Sequence, residues 1–117
     1  MPASRLLLPG DQLTTFQSIF SPNGFAELIL QDDGNLCLYQ HRPSGRTATW
    51  CSHSNSGPNR NAVMQPNGDL VVYDIDGKAL YASGTGGHPG SYLAVQDDGQ
   101  VQIWDGLTVI WTGIDFQ

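Results

Sequence analysis

A nine-residue pattern occurs three times in the chain, and this repetition constrains the fold more than any other feature. Gln31-Asp32-Asp33-Gly34-Asn35-Leu36-Cys37-Leu38-Tyr39 is followed by Gln65-Pro66-Asn67-Gly68-Asp69-Leu70-Val71-Val72-Tyr73, and then by Gln96-Asp97-Asp98-Gly99-Gln100-Val101-Gln102-Ile103-Trp104. The leading glutamines are 34 and 31 residues apart. An aromatic residue trails each block, and these three residues, Trp50, Tyr81 and Trp111, are 31 and 30 apart. Two independent markers with one period identify a supersecondary unit that must stack with its own copies to bury an apolar face.

Each unit reads as three strands. An alternating run comes first (25–31, 62–65 and 91–96) and leads into a glycine turn at Asp33-Gly34, Asn67-Gly68 or Asp98-Gly99. Such pairs favour hairpins because they tolerate positive φ. A second strand, a second turn and the strand with the aromatic follow. Period-two alternation turns Leu28, Leu30, Leu36 and Leu38 inward, with Met64, Leu70, Val72, Leu93, Val95, Val101 and Ile103 as their counterparts. Gln31, Gln65 and Gln96 then point outward, as do Asn35, Cys37 and Tyr39. Trp50, Tyr81 and Trp111 are expected to share a core around a pseudo-threefold axis. The missing strands are expected from the N-terminal stretch, at 6–8 and 17–20. The reading is an all-β fold of three small antiparallel sheets, with residues 1–117 as a single domain and the motifs at 31–39, 65–73 and 96–104.

Composition agrees. Fourteen glycines and seven prolines among 117 residues, with 14% charged residues, suit turns better than helices. The net charge of −6 and the scattered basic residues Arg5, Arg42, Arg46, Arg60 and Lys78 argue against nucleic acid and anionic membranes as partners. No apolar run approaches the ~20 residues of a membrane span. Leu6, Leu7 and Leu8, ended by Pro9-Gly10, fall short of the ~7–15 apolar residues of a secretory signal. Cytoplasmic synthesis, non-classical export and prior removal of a leader are all compatible with this start.

The outward set of the first repeat combines a carboxylate (Asp33), two amides (Gln31 and Asn35), a phenol (Tyr39) and the small, soft Cys37. Each sugar hydroxyl both donates and accepts, and the ring carbons offer an apolar patch, so this inventory suits one sugar ring. The pairs Asp32-Asp33 and Asp97-Asp98 suggest glycosidase carboxylates, but that chemistry needs two groups facing each other across a bond. Adjacent residues in a turn point apart. Asp-Asp-Gly-Asn lacks the full spacing of a calcium loop. His41, His53 and His88 show no metal-ligand spacing and read as surface residues in loop-like contexts. No cofactor or metal is expected. Cys37 and Cys51 fall on outward positions of neighbouring strands. The reading expects two free thiols, with a cross-strand disulfide as the alternative.

The Q-x-D-x-N-x-V-x-Y pattern at 31–39, with Leu8-Pro9-Gly10-Asp11-Gln12-Leu13, the Ser21-Pro22-Asn23-Gly24 turn and the trailing aromatics, resembles the bulb-type (monocot mannose-binding) lectins. The resemblance implies a β-prism II fold and a non-catalytic protein that binds terminal α-mannose or mannose-rich glycans. It implies that Asp33 and Asn35 hold the axial 2-hydroxyl, Gln31 the 3-hydroxyl and Tyr39 the 4-hydroxyl, with Cys37 where the family packs valine on ring carbons. At the second site Gln65, Val71 and Tyr73 match, but Asn67 and Asp69 are exchanged, which implies weaker binding. At the third, Gln96 and Asp98 match, whereas Gln100, Gln102 and Trp104 depart, which implies a degenerate site. The family disulfide is not expected, because Gly34 stands at one of its positions. A homodimer is implied, with residues 109–116 able to exchange between copies. The departures at two motifs keep a second reading open: a protein-interaction or structural module on the same fold with sugar binding mostly lost.

Overall fold

The computed structural model describes residues 3–54 and 59–113. These form twelve strands: β1 (Ser4–Leu7), β2 (Gln12–Thr14), β3 (Ser18–Phe20), β4 (Ala26–Leu30), β5 (Leu36–Arg42), β6 (Gly45–Cys51), β7 (Asn59–Met64), β8 (Leu70–Asp74), β9 (Ala79–Ala82), β10 (Tyr92–Gln96), β11 (Val101–Asp105) and β12 (Thr108–Thr112). They make three antiparallel four-stranded sheets, ordered β3-β4-β5-β6, β2-β7-β8-β9 and β1-β10-β11-β12. Each repeat supplies three consecutive strands, as its pattern predicts. The N-terminal stretch supplies one edge strand to every sheet: β1 to the last repeat, β2 to the second, β3 to the first. The sequence reading anticipated β1 and β3 but not β2, which has a single buried residue, Leu13, to mark it.

The inward set is buried as expected. Leu28, Leu30, Leu36, Leu38, Met64, Leu70, Val72, Leu93, Val95, Val101 and Ile103 form one continuous cluster with Trp50. Every repeat carries a β-bulge at the same place, between Leu38 and Tyr39, Val72 and Tyr73, and Ile103 and Trp104. The bulge sets Trp50 opposite Leu38, Tyr81 opposite Val72 and Trp111 opposite Ile103. All three aromatics therefore turn to the axis, where Trp50 meets Tyr81 and Trp111 edge-on, with ring centroids 5.8 and 5.3 Å apart. Edge-to-face contact suits the ring quadrupoles.

The expectation of free thiols is overturned. Past the bulge, Cys37 and Cys51 lie directly opposite one another, with Cα atoms 4.1 Å apart, and they are disulfide-bonded. Their pairing depends on where the bulge falls, and alternation alone does not locate it. Gln96 faces outward without being exposed. It occupies the outer face but is only 1% exposed, because its amide is held down by neighbours on that face. His41 is not in a loop either. It lies on β5 and is bonded to the buried Glu27.

The connections β1–β2 and β2–β3 use one device twice. The Asp11 and Gln17 amides donate to the Leu8 and Thr14 carbonyls, and the Asp11 and Gln17 side chains accept from the Leu8 and Thr14 amides. The residue before each, Gly10 or Phe16, has a positive φ (90° or 69°) and donates to the Met64 or Leu30 carbonyl. This is a glycine-type bulge, and at Phe16 a bulky side chain occupies the left-handed conformation at a cost of about 1–3 kcal/mol.

Within β12, the part of the segment 109–116 that is described pairs with β11 of its own chain; residues 114–117 lie outside the described residues. Thiol titration of the denatured, unreduced protein is expected to find close to none, and reduction is expected to lower stability by roughly 3 kcal/mol for a 14-residue span. Trp50→Ala removes the residue that touches both other aromatics and should cost about 3–5 kcal/mol in a denaturant titration.

Candidate functional site

The first hairpin positions its outward side chains by local hydrogen bonding. Gln31 and Asn35 close a three-residue loop: the Gln31 amide donates to the Asn35 carbonyl, and the Gly34 amide donates to the Gln31 carbonyl. Within the loop, Asp33 Oδ1 accepts from the Asn35 amide at 2.9 Å. That Asx turn fixes the carboxylate and leaves Oδ2 as its outer atom. Asn35 is fixed from the other side. Its Oδ1 accepts from Ser52 Oγ (3.2 Å) and from the Ser54 amide (3.3 Å). Among the described contacts Asn35 Nδ2 makes none. Across the strands the Gln31 amide donates to the Tyr39 hydroxyl. Gln31, Asp33, Asn35 and Tyr39 thus lie on one face of one hairpin with the buried Cys37, which the disulfide ties to Cys51 on the neighbouring strand.

The second hairpin repeats this construction with the chemistry inverted. Gln65 donates to the Tyr73 hydroxyl, over the buried Val71. Asn67 Oδ1 accepts from the Asp69 amide at 3.0 Å. Asp69 Oδ1 accepts from Ser83 Oγ and the Gly84 amide (both 3.0 Å) and from the Thr85 amide (3.3 Å). The first face therefore offers an acceptor, Asp33 Oδ2, beside a donor, Asn35 Nδ2. The second offers a donor, Asn67 Nδ2, beside an acceptor, Asp69 Oδ2. The loop after β9 packs on this turn: a Cβ on Gly68 would lie 2.3 Å from the His88 carbonyl oxygen, so no larger residue fits. Burial raises the Tyr81 pKa above that of an ordinary phenol; its hydrogen bond with Trp111 opposes this, and the Asp69 charge adds to it.

The third hairpin keeps the turn but closes the face. Asp98 Oδ1 accepts from the Gln100 amide at 3.0 Å, as in the other repeats. The three glutamine side chains then bond to one another: Gln96 meets Gln102 at 2.7 Å, and Gln102 Nε2 donates to Gln100 Oε1 at 3.2 Å. Turned over, the Gln96 amide nitrogen reaches the Asp98 carboxylate at 3.2 Å, where its oxygen would face only another acceptor. Trp104 stands where the phenol stands in the other two repeats. Asp97 faces away, accepting from the Asn23 amide at 2.8 Å, so Asp97 and Asp98 do not converge. Among the described residues no three metal-binding side chains cluster, and no enclosed pocket is present.

Sequence reasoning missed the braces. The Ser52 and Ser83 hydroxyls donate to Asn35 Oδ1 and Asp69 Oδ1, the Ser54 and Thr85 amides donate to the same atoms, and the Ser54 and Thr85 hydroxyls reach the Gly34 and Gly68 carbonyls. The signal was present: an aromatic followed by x-Ser-x-Ser or x-Ser-x-Thr occurs after Trp50 and Tyr81 but not after Trp111. Gly113 takes the serine position there, and a Cβ on it would lie 2.5 Å from Val101 Cγ1. Also missed was a cluster beside Tyr39. Glu27, only 7% exposed, holds His41 Nε2 at 2.7 Å and Arg46 at 3.6 Å, and the Arg46 guanidinium lies 4.1 Å over the Tyr39 ring. Ser83→Ala should cost about 1–3 kcal/mol of stability, because it deprives the Leu70 amide and Asp69 Oδ1 of a partner. Denaturant titration against wild type measures this.

No protein-family model matches the chain. Mannose-specific lectin 1 of Remusatia vivipara is 33% identical over 98 residues, which are 83% of this chain and 35% of that protein. The chain thus spans about a third of the length of the first curated relatives it matches. Among solved structures, a monomeric monocot mannose-binding lectin from Gastrodia elata superposes with a TM-score of 0.78 and 31% identity, over 92% of this chain and 94% of that one. The mannose-specific agglutinin of snowdrop, Galanthus nivalis, complexed with methyl-α-D-mannoside, gives 0.74 and 30% over 96% and 98%. With three antiparallel sheets, one polar hairpin face per repeat and this likeness over nearly the whole chain, the protein belongs to the bulb-type, monocot mannose-binding lectin family.

Proposed function

We propose that the chain binds terminal α-mannose of glycans without catalysis, through the face formed by Gln31, Asp33, Asn35, Cys37 and Tyr39. One observation carries this reading. After the Asx turn and the serine braces, the atoms left on the first face are an acceptor and a donor side by side, Asp33 Oδ2 and Asn35 Nδ2. A single hydroxyl that projects from the ring satisfies both, donating to the carboxylate and accepting from the amide. Gln31 and Tyr39, already bonded to each other, offer amide and phenol groups to the next hydroxyls along the ring.

The second face, Gln65, Asn67, Asp69, Val71 and Tyr73, accepts the same hydroxyl with its proton turned the other way. That turn constrains the hydroxyl's remaining bonds, so the second site is the weaker. The third face, Gln96, Asp98, Gln100, Gln102 and Trp104, has its amides engaged with one another and is assigned no mannose. Catalysis has no support in the geometry: Asp33 and Asp98 each cap a turn, and Asp97 serves Asn23.

An open face that holds one ring binds weakly, with a Kd of about a millimolar or about −4 kcal/mol. Avidity then comes from several sites on one glycan-bearing surface, two on each chain and more in a homodimer. Calorimetry with methyl α-mannoside is expected to show binding that Asn35→Asp combined with Tyr39→Phe reduces at least tenfold, with the fold kept. Binding by that double variant at the wild-type level would show that the first site is wrongly assigned. A natural partner that excess methyl α-mannoside fails to displace would instead favour a protein-interaction module.

A further inference from the structure

We propose that Phe16 forms a second sugar subsite beside Gln31, so that the first site is built for a mannose-containing oligosaccharide and not for a lone ring. This rests on the mannose reading of the first face and adds its neighbouring ring.

The placement follows from the backbone. β3 pairs with β4, and the bulge at its start sets the Phe16 amide on the Leu30 carbonyl at 2.7 Å, one residue before Gln31. Neighbouring strands lie about 4.8 Å apart, so Phe16 flanks the strand end from which Gln31 reaches Tyr39. Phe16 precedes β3, the edge strand of its sheet. The Phe16 side chain is 67% exposed.

A turn of the same kind elsewhere in the chain does without an aromatic. The same turn and bulge at Leu8-Pro9-Gly10-Asp11 flank Gln65 of the second site, and there the left-handed position holds glycine, with nothing within 4 Å of where a Cβ would stand. At Phe16 the chain accepts a strained φ and a large exposed apolar side chain where glycine would satisfy the turn. An unfavourable backbone retained next to a binding face points to function. The chemistry fits: a pyranose presents C–H groups on one face, and a flat aromatic ring receives them. Aromatic side chains provide such contact area at little conformational cost. A saccharide linked to the ring held by Gln31, Asp33, Asn35 and Tyr39, and leaving past Gln31, stacks on Phe16. The second site has only Gly10 at this place and gains nothing from a longer ligand.

Phe16→Gly tests this with little risk to the fold, since it copies Gly10; its melting temperature should equal or exceed that of wild type. Calorimetry compares methyl α-mannoside with a panel of α-linked mannobiosides on both proteins. Wild type is expected to bind at least one mannobioside roughly threefold to tenfold more tightly than the monosaccharide. Phe16→Gly should erase that gain and leave the monosaccharide unchanged, and Phe16→Trp should retain it. Equal affinities for all ligands in wild type, or a gain that survives Phe16→Gly, would overturn the subsite and leave the mannose site standing. Absence of binding to every mannoside would overturn both.

Discussion

The structure depends on one apolar cluster that no single repeat can close. Each three-stranded unit carries a row of aliphatic side chains on one face, and a small sheet exposed on that face is marginal in water. Packed around Trp50, Tyr81 and Trp111, the three rows bury one another. The bulge in each repeat is the device that makes this work. It shifts the register of the last strand so that the aromatic lands opposite an inward residue, and it also increases the local twist that lets small sheets wrap around an axis. The N-terminal segment completes the closure by giving an edge strand to every sheet in turn, so the chain's first and last strands share a sheet through β10 and β11.

With the inner faces committed to the core, the outer faces are free to carry chemistry. The path from sequence to site is short: the glycine fixes the three-residue loop, the loop places the Asp or Asn for an Asx turn, and the turn dictates which oxygen or nitrogen remains for a ligand. The residue two further on is held by the loop that follows the aromatic. Exchanging Asp and Asn between the first and second repeats therefore leaves the scaffold intact, because either side chain supplies the Oδ1 that the turn and the braces need. Only the outer atom changes. A substitution that exchanges the outer donor and acceptor without disturbing the fold is tolerated for that reason.

Much of this was legible in the sequence, and the illegible parts share a cause. The threefold period, the inward residues and the composition of the first face follow from spacing and alternation, both of which are local properties. The disulfide, β2 and the burial of Gln96 do not. The pairing of Cys37 with Cys51 is decided by a bulge between them. The three residues of β2 are strand only because β7 lies beside them. Gln96 is buried by Gln102, and both belong to a pattern that alternation alone assigns to solvent. Each depends on a partner in another strand. The serine braces lie between these cases: their repeat is visible in the sequence, but its meaning appears only when Asn35 and Asp69 are seen to lie against them.

The third repeat shows how such a fold can close an outer face while keeping a wall. Val101 stands where the first two repeats have leucine, and its Cγ1 fills the space that a serine Cβ at position 113 would need. No brace is present at Gly113, and at the position of Asn35 and Asp69 stands the longer Gln100, which bonds along its own face instead. Its turn is also pinned from outside: a Cβ on Gly99 would lie 2.5 Å from Gln40 Nε2 and 2.8 Å from Phe25 Cε2, so the first sheet packs directly on the third hairpin. Core positions are shared by three repeats and couple strongly, whereas outer faces touch few neighbours and change almost independently. Divergence among the outer faces is what this asymmetry favours, with one face fully equipped, one inverted and one closed on a common interior.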